Sequence, residues 1–68
     1  MLVVVNGERR ELEEGTTIAA VVASLPGMPE GRGVAVALEG EVVPRGRWQR
    51  TELAAGASVE VVTAVQGG

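Results

Sequence analysis

The pattern of hydrophobic and polar positions along the 68-residue chain starts with a strand and a hairpin. Leu2 to Val5 is an apolar, β-branched run that predicts a strand. Asn6-Gly7 follows it and is typical of a two-residue hairpin turn, because both positions of such a turn need positive φ. Glu8 to Leu12 is predicted to return as a mostly charged strand, which suits the edge of a sheet.

A short amphipathic helix is predicted next. Thr16 and Thr17 are both suited to cap its start, and Pro26-Gly27 is expected to end it. Its apolar residues recur at the spacing of one helical face, and they are Ile18, Val21, Val22 and Leu25. Because the helix is short and β-branched, it needs a sheet to pack on.

The second half of the chain predicts three more strands, after a loop over residues 28–33. In order, the strands cover residues 34–38, 42–43 and 59–65. Glu39-Gly40-Glu41 is predicted to be the turn between the first two, and Pro44 ends the short one. Leu53, in the polar stretch before the last strand, is expected to be a satellite contact of the core.

The resulting order, β-β-α-β-β-β, is that of a β-grasp fold. This is an α+β architecture with a mixed sheet of four to five strands and one helix packed on one face. We expect a single β-grasp domain over residues 1–65 and a flexible C-terminal tail, residues 66–68.

The composition narrows the chemistry that this domain can perform. The chain has no Cys, His, Lys, Asp, Tyr or Phe. Without His or Cys, ordinary acid–base catalysis by imidazole and a Cys/His metal site are excluded. The net charge of −3 disfavours a nucleic-acid partner, which would require clustered positive charge. We therefore expect a carrier or binding protein and no enzyme, with no bound metal and no catalytic residues.

No targeting or membrane segment is predicted. The N-terminal apolar run lacks the positive region of a signal peptide. The run from Ile18 to Ala23 is far shorter than the roughly 20 residues that a membrane span requires. A cytoplasmic protein without a membrane partner is the expectation.

The C-terminal Gly67-Gly68 is the main candidate for chemistry. Glycine has no side chain to block a narrow tunnel and permits unusual backbone angles. The three residues Gln66, Gly67 and Gly68 can extend roughly 10 Å. We expect this tail to thread into the active site of a partner and to present the Gly68 carboxylate there.

Several segments together resemble one known family, the sulfur carriers of thiamine biosynthesis, which are ubiquitin-like β-grasp proteins. The segments are Asn6-Gly7-Glu8, Gly15-Thr16-Thr17-Ile18, Val34-Ala35-Val36-Ala37, Gly40-Glu41-Val42-Val43-Pro44-Arg45, Trp48, and the end from Val59 to Gly68. Two turn residues depart from the family pattern. Glu39 stands where Asn is usual, and Ala57 stands where Asp is usual; we expect them to affect local stability and not the chemistry.

The resemblance implies a mechanism and a set of partners. An adenylating, E1-like enzyme would join the Gly68 carboxylate to AMP, using ATP that the partner binds, so the carrier itself needs no cofactor. A cysteine desulfurase or another donor would supply sulfur as a persulfide, leaving a thiocarboxylate at Gly68. Thiazole synthase would then take the sulfur to build the thiazole ring of thiamine.

Partner contacts are expected on the sheet face that the helix leaves open, near the tail. The candidates are Val42, Val43, Arg45 and Trp48. Trp48 has two interpretations, a structural lid whose indole N–H finds a carbonyl or a partner hot spot. Arg45, Arg47 and Arg50 form either a solvated face or a docking contact for an acidic partner rim.

Three alternatives to the thiamine assignment remain at this stage. A related carrier could serve molybdopterin or natural-product biosynthesis with the same tail chemistry. A ubiquitin-like protein modifier would form isopeptide adducts on target lysines. A plain interaction module could have an accidental Gly-Gly end.

Overall fold

The computed structural model describes residues 1–26 and 33–63. These residues form five strands, one α-helix and one 3₁₀ helix. In chain order, the elements are β1 (Leu2–Val5), β2 (Glu8–Glu11), α1 (Ile18–Ser24), β3 (Val34–Leu38), β4 (Glu41–Val43), the 3₁₀ helix (Arg45–Arg50) and β5 (Ser58–Thr63).

The strands form one mixed sheet in the order β2-β1-β5-β3-β4. Two antiparallel hairpins, β1–β2 and β3–β4, flank the central strand β5. β5 runs parallel to β1 and antiparallel to β3. This is the predicted β-grasp arrangement, with the charged strand β2 at an edge as its composition indicates.

The helix begins where the sequence predicts. Thr17 is its N-cap, and the Thr17 Oγ1 accepts a hydrogen bond from the Ala20 N–H at 3.2 Å. Backbone hydrogen bonds tie the same end to the stretch before β5, from Ile18 N to the Thr51 carbonyl and from Leu53 N to the Thr16 carbonyl. The start of α1 is therefore fixed both by its own cap and by a distant segment of the chain.

The core lies between α1 and the inner face of the sheet. It takes alternate residues of the strands, because successive side chains of a strand point to opposite faces. Its buried members are Val3, Val5, Ile18, Val21, Val22, Val36, Trp48, Leu53, Ala57, Val59 and Val61. Within residues 1–26 and 33–63 no polar or charged residue is buried, so this core is held by apolar packing.

The 3₁₀ helix is an element that the sequence pattern did not predict. It follows Pro44 and buries one side chain, Trp48, which is 6% exposed. The Trp48 Nε1–H donates a 2.9 Å hydrogen bond to the Val43 carbonyl. The structural interpretation of Trp48, a lid whose N–H finds a carbonyl, therefore describes the arrangement in the fold.

Several predicted details differ from the structure. β4 begins at Glu41, which was predicted to belong to the preceding turn. β2 ends at Glu11 and not at Leu12. α1 ends at Ser24, with the half-buried Leu25 as its C-cap. Leu53 belongs to the main core and is no satellite, because its backbone bond to Thr16 holds it beneath the start of the helix.

The last strand begins one residue early, at Ser58. Its predicted final residues 64–65 lie outside the described part of the chain, as do residues 28–32 of the loop predicted over residues 28–33. The predicted domain boundary at residue 65 therefore stays a prediction.

Candidate partner-docking face

The predicted tail residues Gln66, Gly67 and Gly68 lie outside the described residues. The last described residue of β5 is Thr63, which pairs with Val34 at the beginning of β3. Because β5 is the central strand, the chain approaches its C-terminal segment through the middle of the sheet. The positions of the other candidate residues are therefore described relative to the end of the sheet that carries Thr63.

The outer face of the sheet, opposite α1, carries exposed apolar side chains near this end. Val42 is 74% exposed and Val62 is 58% exposed. Ala35 pairs with Val62, and Ala37 pairs with Val42. Directly paired residues share a face, so these four residues form one surface, which we call the open patch.

One carboxylate shares the face of the open patch on β3, β4 and β5 and lies next to it. Glu60 is exposed and pairs with Ala37 across β5 and β3. It is also two positions before Val62 on the same strand, so it shares the face of Val62. The row across three strands is thus Glu60, Ala37 and Val42, with Val62 and Ala35 in the next row towards the end of β5.

The candidate contacts do not all lie on this surface. Val42 is exposed on the open patch, whereas Val43 points inward and is half-buried against the core. Trp48 is buried. Arg45 is exposed at the first position of the 3₁₀ helix, and Arg47 and Arg50 are exposed on the same helix.

The position of the 3₁₀ helix follows from the direction of β4. Val43 pairs with Val36, and Val36 pairs with Val61. The chain therefore leaves β4 towards the end of the sheet that carries Thr63. Arg45 lies two residues beyond Val43, so its positive charge is placed at the same end of the sheet as Thr63.

Sequence reasoning missed which apolar residues are exposed. Val42-Val43 and Val61-Val62 are pairs of adjacent valines, so alternation alone does not decide which member faces the core. The register with β3 decides it. The sequence did indicate that Glu60 faces outward, since it alternates along the strand with Val59 and Val61, which are buried.

Neither a membrane span nor a metal cluster occurs in the described part of the chain. No helix within residues 1–26 and 33–63 is long and apolar enough to cross a bilayer. Among the same residues, no group of three or more acidic, His or Cys side chains is arranged to hold a metal ion.

The five-stranded mixed sheet, the single α-helix across one face and the open apolar patch on the other define a small β-grasp protein with a surface suited to a partner. Comparison with known proteins identifies the family. The model of the ThiS family matches residues 3–68, and the chain belongs to this family.

A solved structure supports the same assignment. The crystal structure of a thiamine biosynthesis protein (ThiS) from Geobacter metallireducens is similar to this chain with a TM-score of 0.81 and 27% sequence identity, over 100% of both chains. No curated protein matches the sequence significantly. The role of the chain is that of a sulfur carrier in thiamine biosynthesis, which involves partner enzymes of that pathway.

Proposed function

We propose that the chain carries sulfur on the C-terminal carboxylate of Gly68. The observation that supports this site is the Gly67-Gly68 end, which lies inside the range that the ThiS family model matches. The composition favours the same atom, because a carrier without cysteine has no thiol on which to hold sulfur. In this role the chain is a protein co-substrate, and its partners perform the catalysis.

The first step activates the carboxylate. An oxygen of the Gly68 carboxylate attacks the α-phosphorus of ATP bound to an adenylating, E1-like enzyme, and pyrophosphate leaves. The product is an acyl adenylate, a mixed anhydride in which AMP is a good leaving group. The carrier binds no cofactor of its own, and ATP belongs to the partner.

The second step exchanges oxygen for sulfur. The terminal sulfur of a persulfide, supplied by a cysteine desulfurase or another donor, attacks the acyl carbon and displaces AMP. A second thiol then cleaves the sulfur–sulfur bond, leaving a thiocarboxylate at Gly68, and the two donor thiols leave as a disulfide. Thiazole synthase accepts this sulfur for the thiazole ring. These steps need ATP and reduced thiols, which agrees with a cytoplasmic location.

The open patch is the proposed docking surface for the enzymes that act on the tail. Val42 and Val62 are exposed apolar side chains on the outer face, near the end of β5. Burying an exposed valine side chain gains about 1.5 kcal/mol. Arg45 is exposed on the 3₁₀ helix that follows β4, towards the Thr63 end of the sheet, and would provide a charge contact there. Val43 and Trp48 contribute from below, because the Trp48–Val43 hydrogen bond fixes the exit of β4.

Intact-mass measurement tests the carrier chemistry. The protein is incubated with ATP, an adenylating enzyme and a sulfur donor. We expect a mass increase equal to the replacement of one oxygen by one sulfur. A ladder of adducts on lysines of other proteins, without the sulfur-bearing species, would instead indicate a protein modifier.

Deletion of Gly68 tests the site. The truncated chain should fold normally and lose AMP transfer, because the carboxylate no longer reaches the nucleotide. Addition of one residue after Gly68 should have the same effect by moving the reactive group. AMP transfer retained by the truncated chain would contradict the proposal.

Valine substitutions test the docking surface. Val42→Ser and Val62→Ser should each weaken binding of the adenylating enzyme by about tenfold, since each removes roughly 1.5 kcal/mol of apolar burial. Leu2→Ser is the matched control, because Leu2 is 43% exposed on β1, away from the open patch. Equal loss of binding in the control and the patch variants would show that the patch has no special role.

A further inference from the structure

We propose that Glu60 selects the adenylating partner by its charge, pairing with one cationic side chain, Arg or Lys, on an otherwise apolar partner surface. This role rests on the docking function proposed for the open patch. It goes further by assigning a chemistry to the part of the partner that faces Glu60.

The register places Glu60 next to both exposed valines of the open patch. Ala37 lies beside Glu60 in the row across the strands, and Val42 lies beyond Ala37. Strands are about 4.8 Å apart, so Val42 is roughly 10 Å from Glu60 across the sheet. Val62 is two residues along β5, roughly 7 Å away. Glu60 therefore lies at the corner between the two valines, within reach of the side chains of a surface that contacts both.

Glu60 has no cation of its own among the described residues. The ion pairs within residues 1–26 and 33–63 join Glu11 to the N-terminal ammonium and Glu8 to Arg10. The carboxylate of Glu39 accepts a hydrogen bond from the Ser58 N–H at 2.9 Å. Within the described part of the chain, the exposed Glu60 carboxylate therefore has solvent and no cationic side chain around it.

Docking changes the surroundings of the Glu60 carboxylate from water to the surface of the partner. An apolar surface that covers the open patch removes water from the Glu60 carboxylate, and a carboxylate without a partner is costly to bury. A partner with a cation at the matching position restores the interaction through a charge-assisted hydrogen bond. The same carboxylate thus penalises apolar proteins that lack the cation and favours one that has it.

A simpler role for Glu60 is to keep an apolar sheet face soluble. The two roles differ in what charge reversal does. A solubility role predicts that Glu60→Arg binds the adenylating enzyme as wild type does, because arginine is equally polar. A selecting role predicts repulsion between the new arginine and the cation of the partner.

The test is a titration of the full-length carrier with the adenylating enzyme. Glu60→Arg should raise Kd by at least about tenfold, and Glu60→Gln by about threefold. Glu14→Arg is the matched control, because Glu14 is exposed in the turn before α1 and the change in net charge is the same. The control should alter Kd by less than about twofold.

Ionic strength and saturating kinetics sharpen the result. Salt should weaken wild-type binding more than Glu60→Gln binding, since screening acts on the charge pair. At saturating carrier, the AMP-transfer rate of the Glu14→Arg control should equal that of wild type, whereas Glu60→Gln should raise the KM for the carrier. Wild-type Kd and wild-type salt dependence in Glu60→Arg would overturn the inference, as would weakened binding to thiazole synthase alone.

Failure of this inference and failure of the carrier function are distinguishable. If Gly68 deletion abolishes AMP transfer while Glu60→Arg binds normally, the carrier function stands and the selecting role falls. If the Gly68-deleted chain still accepts AMP, the carrier function fails whatever Glu60 does. Thermal unfolding of each variant shows whether the fold is retained, and Glu60→Gln serves if the arginine variant is unstable.

Discussion

The turn between β1 and β2 and the turn between β3 and β4 share a backbone geometry but differ in the residue that begins them. Asn6 and Gly7 have φ of 51° and 81°, and Glu39 and Gly40 have φ of 51° and 84°. Both are two-residue turns with positive φ at both positions, as the twist of a hairpin favours. Asparagine tolerates this conformation, whereas glutamate rarely adopts it.

Each turn also fastens the central strand β5, from opposite edges. The Asn6 Oδ1 accepts from the Val61 N–H at 2.8 Å, and the Asn6 N–H donates to the Val59 carbonyl at 2.9 Å. The Glu39 carboxylate accepts from the Ser58 N–H, and the Glu39 N–H donates to the Ser58 carbonyl, both at 2.9 Å. In each turn a side-chain oxygen accepts a hydrogen bond from a backbone N–H of β5. If the strand continued in place of the turn, a backbone carbonyl would accept this bond.

The difference between the turns shows how a residue unsuited to its backbone can be retained. Glu39 has a conformational cost, because glutamate rarely adopts positive φ. Its longer side chain reaches Ser58, so the hydrogen bond to β5 offsets part of that cost. The expected effect of Glu39 on local stability thus has two opposing parts, the cost of positive φ and the hydrogen bond to Ser58. Substitutions in the two turns measure each part.

The largest effect is expected for Asn6→Ala. Alanine is strained at positive φ by about 1 kcal/mol, and the N–H of the buried Val61 loses its acceptor, which costs about 1–3 kcal/mol. We expect the free energy of unfolding to fall by about 2 kcal/mol, measured by urea denaturation. The corresponding drop in Tm is about 10 °C.

Asn6→Asp is the control for this prediction, because aspartate keeps an acceptor oxygen and also tolerates the turn conformation. It should lose less than half as much stability as the alanine variant. An alanine variant as stable as wild type would show that the bond to Val61 contributes nothing.

The glycines should respond equally in the two turns. A Cβ on Gly7 or on Gly40 would meet no atom within 4 Å, so only the positive φ opposes a side chain there. We expect Gly7→Ala and Gly40→Ala each to cost about 1 kcal/mol. A difference of more than about 1 kcal/mol between them, measured in the same denaturant series, would contradict the shared geometry.

The local sequence pattern was enough to predict both turns, but it could not predict the hydrogen-bond partners of their side chains. The Asn-Gly turn and the Glu-Gly turn follow from residue types at adjacent positions. The bond from Asn6 to Val61 joins residues 55 positions apart, and that from Glu39 to Ser58 joins residues 19 apart. Such contacts depend on the packed sheet, which no local window contains.

For the candidate site, too, the sequence predicted one part, and the packed structure was needed for the other. The sequence predicted an exposed apolar surface formed by the last strand and Val42-Val43, but the register with β3 was needed to choose Val42 and Val62. The 3₁₀ helix was missed because Trp48 is its only large apolar residue, so no periodicity marks it. Its burial is decided by tertiary packing, with the Val43 carbonyl as hydrogen-bond partner.

A smaller effect is expected for Glu39→Ala. The variant loses the acceptor for the Ser58 N–H, but this bond is exposed and water can replace the carboxylate. We expect a loss of about 0.5 kcal/mol, well below that of Asn6→Ala, measured under the same conditions. Glu39→Gln retains an acceptor oxygen without charge. If the glutamine variant loses as much as the alanine variant, the charge and not the hydrogen bond holds the turn.

The smallest effect is expected for Glu39→Asn, because two terms oppose each other. Asparagine tolerates positive φ better than glutamate does, but it is shorter by one methylene and loses the reach to Ser58. We expect the free energy of unfolding to change by less than about 0.5 kcal/mol. Combining the change with Ser58→Pro, which removes the donor N–H, separates the terms: in that background the conformational gain should remain and asparagine should stabilise. If Glu39→Asn still does not stabilise there, the backbone cost assigned to Glu39 is absent, and the two turns differ only in the atom that reaches β5.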